Sequence, residues 1–213
     1  DVIRAMGQQG FYGLTVPEDL GGVDAGYLTL ALVVEEIARG DGALSTITSV
    51  MNSVVCGPLL GFGSAEQIQE WLVPLVSGEK LGAFCLTEPQ AGSDASALKT
   101  RATKTDNGWV LNGTKQFITN GAIADLAIVF AVTDPAAGKK GISAFLVPKD
   151  AKGISFGALE QKMGWNSQPT RLVSFDRVRV PAANRLGEEG EGFRFAMKAL
   201  DGGRINIATC SLG

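Results

Sequence analysis

The stretch of sequence that decides the fold lies between residues 84 and 121 and carries a motif at each end. It opens with Phe84-Cys85-Leu86-Thr87-Glu88-Pro89-Gln90-Ala91-Gly92-Ser93-Asp94 and closes with Asn112-Gly113-Thr114-Lys115-Gln116-Phe117-Ile118-Thr119-Asn120-Gly121. The motifs place Thr87 and Thr119 at predicted strand ends beside glycine-rich corners. Such an arrangement would present a flat platform of main-chain and hydroxyl groups to a ring-shaped molecule.

The composition is that of a globular protein with a substantial core. The chain has 213 residues, of which 45% are hydrophobic, and a formal net charge of -3. These values fit one or two domains, and the mild acidity gives no basic surface for nucleic acid. No apolar run approaches the roughly 18 residues of a membrane span, and no secretory signal begins the chain. The composition therefore predicts neither a nucleic-acid partner nor a membrane span.

Cysteine and histidine usage narrows the chemistry. Cys56, Cys85 and Cys210 are widely spaced, which favours a reducing compartment, and no CxxC pair indicates a metal site. Histidine is absent from the sequence, which excludes a Ser-His-Asp triad, a Cys-His pair and a histidine-ligated metal within this chain. Any proton transfer must use a carboxylate, a lysine, a tyrosine or a group from outside the chain.

Common nucleotide-binding signatures are also missing. The sequence contains neither a GxxxxGK phosphate loop nor a strand-GxGxxG-helix fingerprint. Gly187, Gly190 and Gly192 come in the wrong order for that fingerprint and follow an acidic run. They predict a turn before a helix.

The pattern of the chain changes twice and predicts an α+β fold with three parts. Residues 1–80 read as an N-terminal all-α domain. Residues 81–186 read as a middle antiparallel β-sandwich or barrel domain, because short β-rich runs alternate with glycine, asparagine and proline. Residues 187–213 read as the start of a C-terminal helical bundle. Both ends are expected to be incomplete, since no start signal precedes Asp1 and no terminator follows the last helix.

Local signals place several elements. Tyr27, Leu30 and Val34 fall at helical spacing, Asp41 is a candidate N-cap for a helix to about Cys56, and Ser64 opens a capping box. Pro74 is expected to kink or end the helix that follows Ser64. The apolar stripes of these helices are read as packing core rather than as a binding surface.

In the β region, two turn signals, Asp106-Asn107-Gly108 and Asn112-Gly113, are predicted to be hairpin turns on either side of Trp109-Val110-Leu111. The further predicted strands are Leu126–Val132, Ile142–Val147, Ile154–Leu159 and Leu172–Val180.

The platform between Thr87 and Thr119 has the groups that an oxidised flavin needs. Each threonine brings a hydroxyl and a main-chain N–H, and Phe117 could cover one face of the ring. The corner Ala91-Gly92-Ser93 could bring successive N–H groups to a diphosphate. An ordinary explanation stays open at this point, because threonine is common in strands and Gly-Ser-Asp is common in turns.

Across nearly its whole length the chain resembles the acyl-CoA dehydrogenase family. The resemblance rests on the two motifs quoted first and on further motifs in the family's order: Gly13-Leu14-Thr15-Val16-Pro17-Glu18-Asp19-Leu20-Gly21-Gly22, Lys162-Met163-Gly164-Trp165, Phe175-Asp176-Arg177-Val178-Arg179-Val180-Pro181 and Leu186-Gly187-Glu188-Glu189-Gly190-Glu191-Gly192-Phe193.

The resemblance implies FAD between the β domain and helices, with acyl-CoA on the exposed flavin face. The residues that would line FAD are Phe84, Cys85, Leu86, Thr87, Gly92, Ser93, Phe117, Ile118 and Thr119. Ser93 would also lie near the pantetheine arm of CoA. The family usually has tryptophan where this chain has Phe117, so the indole N–H is missing and redox tuning there can differ.

Asp201 and Arg204 match an Asp-x-x-Arg motif of the family that meets the substrate's CoA. Read from the residues alone, they are an i,i+3 ion pair on a helix surface. The resemblance favours substrate binding.

The implied reaction is α,β-dehydrogenation of an acyl-CoA, with hydride to flavin N5 and the α-proton to a carboxylate base. That base is expected beyond Gly213, so no catalytic residue is assigned here, and the 213 residues alone are expected to be inactive. Alternatives are an acyl-CoA oxidase-like flavoenzyme that uses oxygen, and a non-catalytic acyl-CoA-binding module.

Motifs around Trp165 and after Gly202 look most like the isobutyryl-CoA branch, whereas Ser49–Ser53 looks closer to short straight-chain members. A short or branched short acyl group is therefore expected. The resemblance also implies electron-transfer flavoprotein as partner and a homodimer or homotetramer. The location would be the cytoplasm of a bacterium or the mitochondrial matrix of a eukaryote.

Overall fold

A computed structural model describes residues 2–213 of the chain, so Asp1, the first residue of the predicted helical domain, lies outside the described residues. The chain forms two compact units. The helical unit contains the residues up to Gly82 together with residues 161–168 and 197–213. The β unit contains residues 83–160 and 169–196.

The helical unit is built from short and long helices in the first 76 residues. Its α-helices are α1 Val2–Gln8, α2 Gly26–Gly40, α3 Gly42–Val50, α4 Gly57–Phe62, α5 Ala65–Gln67 and α6 Val73–Val76. Wider π-type turns, Met51–Cys56 and Ile68–Leu72, join α3 to α4 and α5 to α6. The all-α expectation for this region is confirmed.

The predicted helix starts are confirmed. The Asp41 carboxylate accepts hydrogen bonds from the N–H groups of Ala43 (2.7 Å) and Leu44 (3.2 Å), as an N-cap does. Ser64 and Gln67 form a reciprocal capping box. The helix that starts after Asp41 continues beyond the expected end at Cys56.

Pro74 does not end its helix, so that part of the expectation is wrong, whereas the kink that was its alternative stays a prediction. It lies in the first turn of α6, directly after the π-type turn Ile68–Leu72. A proline removes one main-chain donor and crowds the preceding turn, and a widened turn relieves both problems.

One helix, Gly42–Phe62, is long and apolar enough to cross a membrane, with a mean hydropathy of 1.4 over an 18-residue window. The sequence-based statement that no run approaches such a length is therefore wrong. However, 72% of that window is buried inside the protein, as in the core helix of a globular domain. Length and composition alone carry little weight for such a helix.

The loop between α1 and α2 is held by the buried side chain of Asn52. Its amide oxygen accepts from the N–H of Leu14 at 2.9 Å, and its amide nitrogen donates to the carbonyl of Phe11 at 2.7 Å. A buried amide with both ends satisfied fixes the loop against the helix. The start of the motif at Gly13 thus lies between two main-chain contacts to Asn52.

The β unit contains one eight-stranded sheet. Its strands are β1 Gly82–Cys85, β2 Arg101–Thr105, β3 Gly108–Thr119, β4 Leu126–Val132, β5 Ile142–Pro148, β6 Ile154–Leu159, β7 Thr170–Pro181 and β8 Arg185–Leu186. The order is β6-β7-β3-β2-β4-β5-β8, with β1 paired to β4 off this path. The antiparallel expectation holds for most pairs, but β2 and β4 pair in parallel at Arg101 and Val132.

One of the two predicted hairpin turns is confirmed and the other is wrong. Thr105 pairs with Gly108, so Asp106-Asn107 is a two-residue hairpin loop. Asn112-Gly113 lies inside β3, where the register with β7 shifts between Leu111 and Gly113. The extra residue of this bulge is on β7, where Asp176 and Arg177 lie opposite Asn112 alone. The Asn112 side chain accepts from the N–H of Arg177 at 2.9 Å, so the Asn-Gly pair lies opposite a bulge and is not a turn.

The predicted strands agree with the structure to within a few residues. β4 and β6 have the predicted bounds, whereas β5 and β7 are longer. The core of the β unit includes Trp109 and Phe145, whose rings meet edge to face with centroids 5.4 Å apart.

The last helix, α7 Gly192–Cys210, begins where the sequence predicts it. Gly187 and Gly190 have φ values of 60° and 86°, which confirms the predicted glycine turn before it. By compactness, residues up to 196 belong to the β unit and residues 197–213 to the helical unit.

Candidate functional site

The first motif leaves the sheet at the end of β1. The ring of Phe84 packs edge to face on Phe130, with centroids 4.9 Å apart. Cys85 is fully buried in the core and Leu86 is 5% exposed. Burial raises the pKa of the Cys85 thiol to about 12, so this cysteine stays protonated.

Beyond Thr87 the chain turns tightly. Glu88 and Ala91 exchange main-chain hydrogen bonds in both directions, at 3.1 and 3.0 Å. Gly92 and Ser93 follow on the surface, and a Cβ on Gly92 would meet nothing within 4 Å. The corner predicted at residues 91–93 therefore starts three residues earlier, at Glu88.

The second motif contains a β-bulge. Lys115 pairs with Val173, and the next pairing joins Ile118 to Arg171, so the register shifts in between. Phe117 lies in the bulge with a φ of 56°, and 59% of it is exposed. A left-handed conformation costs a phenylalanine about 1–2 kcal/mol. The surroundings of the bulge must supply that energy.

The strand ends as predicted, since Thr119 is the last residue of β3 and pairs with Thr170. Ile118 is 2% exposed and belongs to the core. Buried Ile118, Cys85 and Leu86 would therefore meet a ligand mainly through main-chain atoms.

The two motifs lie side by side in the β unit. The N–H of Gln116 donates to the carbonyl of Thr87 at 2.9 Å. One residue earlier, the Lys115 ammonium donates to the carbonyl of Leu86 at 3.0 Å. The structure thus brings together the two segments that the sequence predicts to form one platform.

A buried ion pair joins the same segments. Lys115 Nζ lies 2.7 Å from Glu88 Oε1, and the two side chains are 0% and 3% exposed. Despite desolvation, the nearby ammonium and several donated hydrogen bonds lower the pKa of Glu88 to about 2. Burial lowers the pKa of Lys115, and the Glu88 carboxylate opposes that change. The Glu88 carboxyl is therefore ionised at neutral pH.

The sequence motifs contain Glu88 and Lys115, but the sequence alone predicted no role for either residue. A signal was present, because Lys115 has the same strand parity as Trp109, Leu111 and Gly113. A lysine on the buried face of a strand requires a buried anion.

The platform has groups that fit a flavin. Within residues 2–213 no protein hydrogen bond involves the hydroxyl of Thr87 or of Ser93. The exposed ring of Phe117 is available to cover a planar ligand. Two hydroxyls, an outward aromatic ring and a tight corner are the donor set and the surface that such a ring requires.

A cationic cavity of about 520 Å³ lies elsewhere in the β unit. Its lining includes Lys99, Arg101 and Lys139 and no acidic residue. Ser96, three residues after Ser93, also lines it. Such a cavity favours an anionic ligand.

Asp201 and Arg204 lie on α7 in the helical unit. Arg204 Nη1 is 3.7 Å from Asp201 Oδ1, and their side chains are 66% and 82% exposed. An exposed pair of this kind contributes about 0–1 kcal/mol to stability. Substrate binding by these residues stays a prediction. Among the described residues no cluster of three histidine, cysteine, aspartate or glutamate side chains could hold a metal.

The fold consists of a helical unit and a β unit, and the β unit carries the candidate site. Two family models match: "Acyl-CoA dehydrogenase, N-terminal domain" over residues 1–79 and "Acyl-CoA dehydrogenase, middle domain" over residues 83–178. The chain belongs to the acyl-CoA dehydrogenase family.

Relatives with short-chain substrates in their names are similar over the whole chain. The human mitochondrial short-chain specific acyl-CoA dehydrogenase is 48% identical over 211 residues, which cover 99% of this chain and 51% of the relative. The mitochondrial isobutyryl-CoA dehydrogenase of Dictyostelium discoideum is 45% identical over 214 residues, covering 100% of this chain and 51% of the relative. The chain spans about half the length of these relatives.

Solved structures agree. Butyryl-CoA dehydrogenase from Megasphaera elsdenii superposes with a TM-score of 0.96 at 45% identity, over 99% of this chain and 56% of that one. The prolyl acyl carrier protein oxidase AnaB superposes with a TM-score of 0.93 at 35% sequence identity, over 98% of this chain and 56% of AnaB. PigA, solved with FAD and proline, superposes with a TM-score of 0.94 at 32% sequence identity, over 98% of this chain and 55% of PigA.

Proposed function

We propose that this chain contributes the FAD-binding part of an acyl-CoA dehydrogenase that converts a short or branched short acyl-CoA to its 2-enoyl-CoA. The observation that carries the proposal is the joining of the segments at Thr87 and Gln116 beside the exposed ring of Phe117. Relatives named for short-chain acyl-CoA and isobutyryl-CoA support the substrate class.

The residues of this chain have binding and orienting roles in the proposal. The platform residues Thr87, Phe117 and Thr119 hold FAD, and Phe117 shields one face of its ring from water. FAD, when bound, supplies the hydride acceptor for the reaction. The side chains of Cys85 and Ile118 support the platform from the core.

CoA carries phosphates, and the cationic cavity supports binding of its anionic part. Lys99, Arg101 and Lys139 would attract phosphate groups there. The family resemblance implies that Ser93 would meet the pantetheine arm, and the cavity-lining Ser96 follows it by three residues. Asp201 and Arg204 are proposed as further CoA contacts.

No proton acceptor is assigned among these residues. We place the catalytic carboxylate in the part of the relatives' length that this chain does not span. Electron-transfer flavoprotein as acceptor, a homodimer or homotetramer, and a bacterial cytoplasmic or mitochondrial location are parts of the same proposal.

The test is anaerobic bleaching of the flavin in the whole natural protein, with butyryl-, isobutyryl- and octanoyl-CoA as substrates. Bleaching that is fastest with one of the two short substrates supports the proposal. A preference for octanoyl-CoA contradicts the substrate class, and absence of bound flavin contradicts the function itself.

An oxidase remains the second candidate, because the similar AnaB is named as an oxidase. The two functions differ in the acceptor of electrons from the reduced flavin, which is oxygen in an oxidase and electron-transfer flavoprotein in the proposed dehydrogenase. Rapid peroxide formation in air, at a rate that matches substrate consumption, would favour the oxidase over the dehydrogenase.

A further inference from the structure

The buried Glu88–Lys115 pair has more contacts than an ion pair needs for its own stability. Lys115 donates both to Glu88 Oε1 and to the carbonyl of Leu86. Glu88 also accepts from the N–H groups of Lys99 (2.6 Å) and Thr100 (3.0 Å). The two side chains are themselves almost fully buried, while the network reaches the surface at Lys99 and at Gln90, whose amide also donates to Glu88.

Net stability does not explain this pair. Removing two charges from water costs several kcal/mol for each ion, and well-packed apolar residues in place of a buried pair are often neutral or stabilising. A buried network that satisfies nearly every donor and acceptor instead fixes one arrangement of the chain.

Glu88 holds together the two ends of one loop. It lies at the start of the turn after β1, and its carboxylate binds the main chain of Lys99 and Thr100, directly before β2. The loop closed in this way contains Gly92 and Ser93. The position of the proposed diphosphate corner therefore depends on this carboxylate.

Lys115 connects that loop to the bulge. Its ammonium donates to the carbonyl of Leu86 and to the carboxylate of Glu88, while the N–H of the next residue, Gln116, donates to the carbonyl of Thr87. Three consecutive residues of one segment are thus bound to two consecutive residues of the other. The bulge with Phe117 begins at the very next position.

We propose that Glu88 and Lys115 are positioning residues for the flavin. Their buried pair sets the spacing between the Thr87 segment and the Phe117 bulge, which together hold the ring. This inference rests on the proposed FAD site, and it adds a role for two residues that do not touch the ring themselves. Their contribution is geometric, so it affects the environment of the flavin more than the stability of the fold.

The test compares two double variants of the whole natural protein. Glu88→Gln/Lys115→Met replaces the buried pair with neutral side chains of similar size. Lys104→Met/Glu189→Gln is the matched control, because that pair is in the same unit at 3.2 Å but its side chains are 70% and 37% exposed. The readouts are FAD affinity, the shape of the visible flavin band, the flavin midpoint potential and the unfolding temperature of the apoprotein.

We expect the buried-pair variant to fold near the wild-type temperature, bind FAD at least tenfold more weakly and show an altered flavin band and potential. The control should stay within twofold of wild type in affinity, with an unchanged band. A buried-pair variant that binds FAD with wild-type affinity, spectrum and potential overturns the inference.

If the double variant does not fold, the near-isosteric Glu88→Gln variant decides by the same readouts. If neither folds, the pair is needed for folding itself and the positioning role is wrong. A wild-type protein that binds no FAD refutes the proposed function, and the inference with it. Wild-type FAD binding by the buried-pair variant refutes the inference alone.

Discussion

Replacing Lys115 alone by methionine is the perturbation whose outcome the structure defines best. The variant removes the ammonium that lies 2.7 Å from Glu88 Oε1 and leaves the carboxylate 3% exposed. Unlike the neutral double variant, it leaves a buried charge without its counter-charge. Hydrogen bonds from Lys99 and Thr100 remain, so the carboxylate is only partly compensated.

Two independent routes give a similar magnitude. Breaking a buried ion pair by removing one partner costs about 3–5 kcal/mol. The pKa of Glu88 falls from its ordinary 4.5 to about 2 in the folded protein, which corresponds to about 3 kcal/mol in favour of the charged form. Lys115 is the largest favourable cause of that fall, so most of this stabilisation should disappear in the variant.

The pH dependence has a definite sign. A carboxyl with a depressed folded pKa stabilises the protein above its unfolded pKa, and that contribution is lost as the pH falls through the folded pKa. In the wild type, Glu88 therefore contributes fully above about pH 4.5 and loses its contribution between about pH 4.5 and pH 2. In Lys115→Met the pKa of Glu88 rises, so the difference between variant and wild type should shrink as the pH falls.

Thermal unfolding at pH 7 and at pH 3 is the assay. At about 2–4 °C per kcal/mol, we expect Lys115→Met to lower the unfolding temperature by at least about 6 °C at pH 7, and by less at pH 3, which lies inside the window in which the wild type loses the Glu88 contribution. Lys104→Met is the control, because its exposed pair contributes about 0–1 kcal/mol. A Lys115→Met protein as stable at pH 7 as the control would refute the reasoning, and so would a deficit that grows on acidification.

Three further predictions concern single positions. Phe117→Ala should change apoprotein stability by less than about 1 kcal/mol, because 59% of the side chain is exposed, yet it should weaken FAD binding in a flavin titration. Gly113→Ala should clearly lower the unfolding temperature, because φ is 153° at this position and an added Cβ would clash with the Thr100 side chain. Gly92→Ala is the control and should leave the unfolding temperature unchanged, because an added Cβ there meets nothing within 4 Å. Asp201→Asn and Arg204→Lys should leave the unfolding temperature unchanged, because the pair is exposed. A raised KM for acyl-CoA in these variants would support substrate binding, and an unchanged KM would contradict it.

The order and type of the elements were largely predictable from the sequence. The Asp41 N-cap, the Ser64 capping box and the Asp106-Asn107 turn act within a few residues, so local sequence is enough to find them. The bounds of β4 follow from hydrophobic pattern for the same reason. By contrast, Asn112-Gly113 reads locally as a turn, and only its pairing with β7, which bulges opposite Asn112, keeps it inside a strand.

The same division applies to the candidate site. Sequence by itself determined the family through its motifs, and it identified Thr87 and Thr119 as members of one platform. The tertiary structure decided that Phe117 lies in a bulge with its ring exposed, and that Cys85 and Ile118 belong to the core. It also decided that Glu88 and Lys115, 27 residues apart, meet in the interior. No local pattern encodes that meeting, because the energy of a buried charge depends on which partner the fold brings to it.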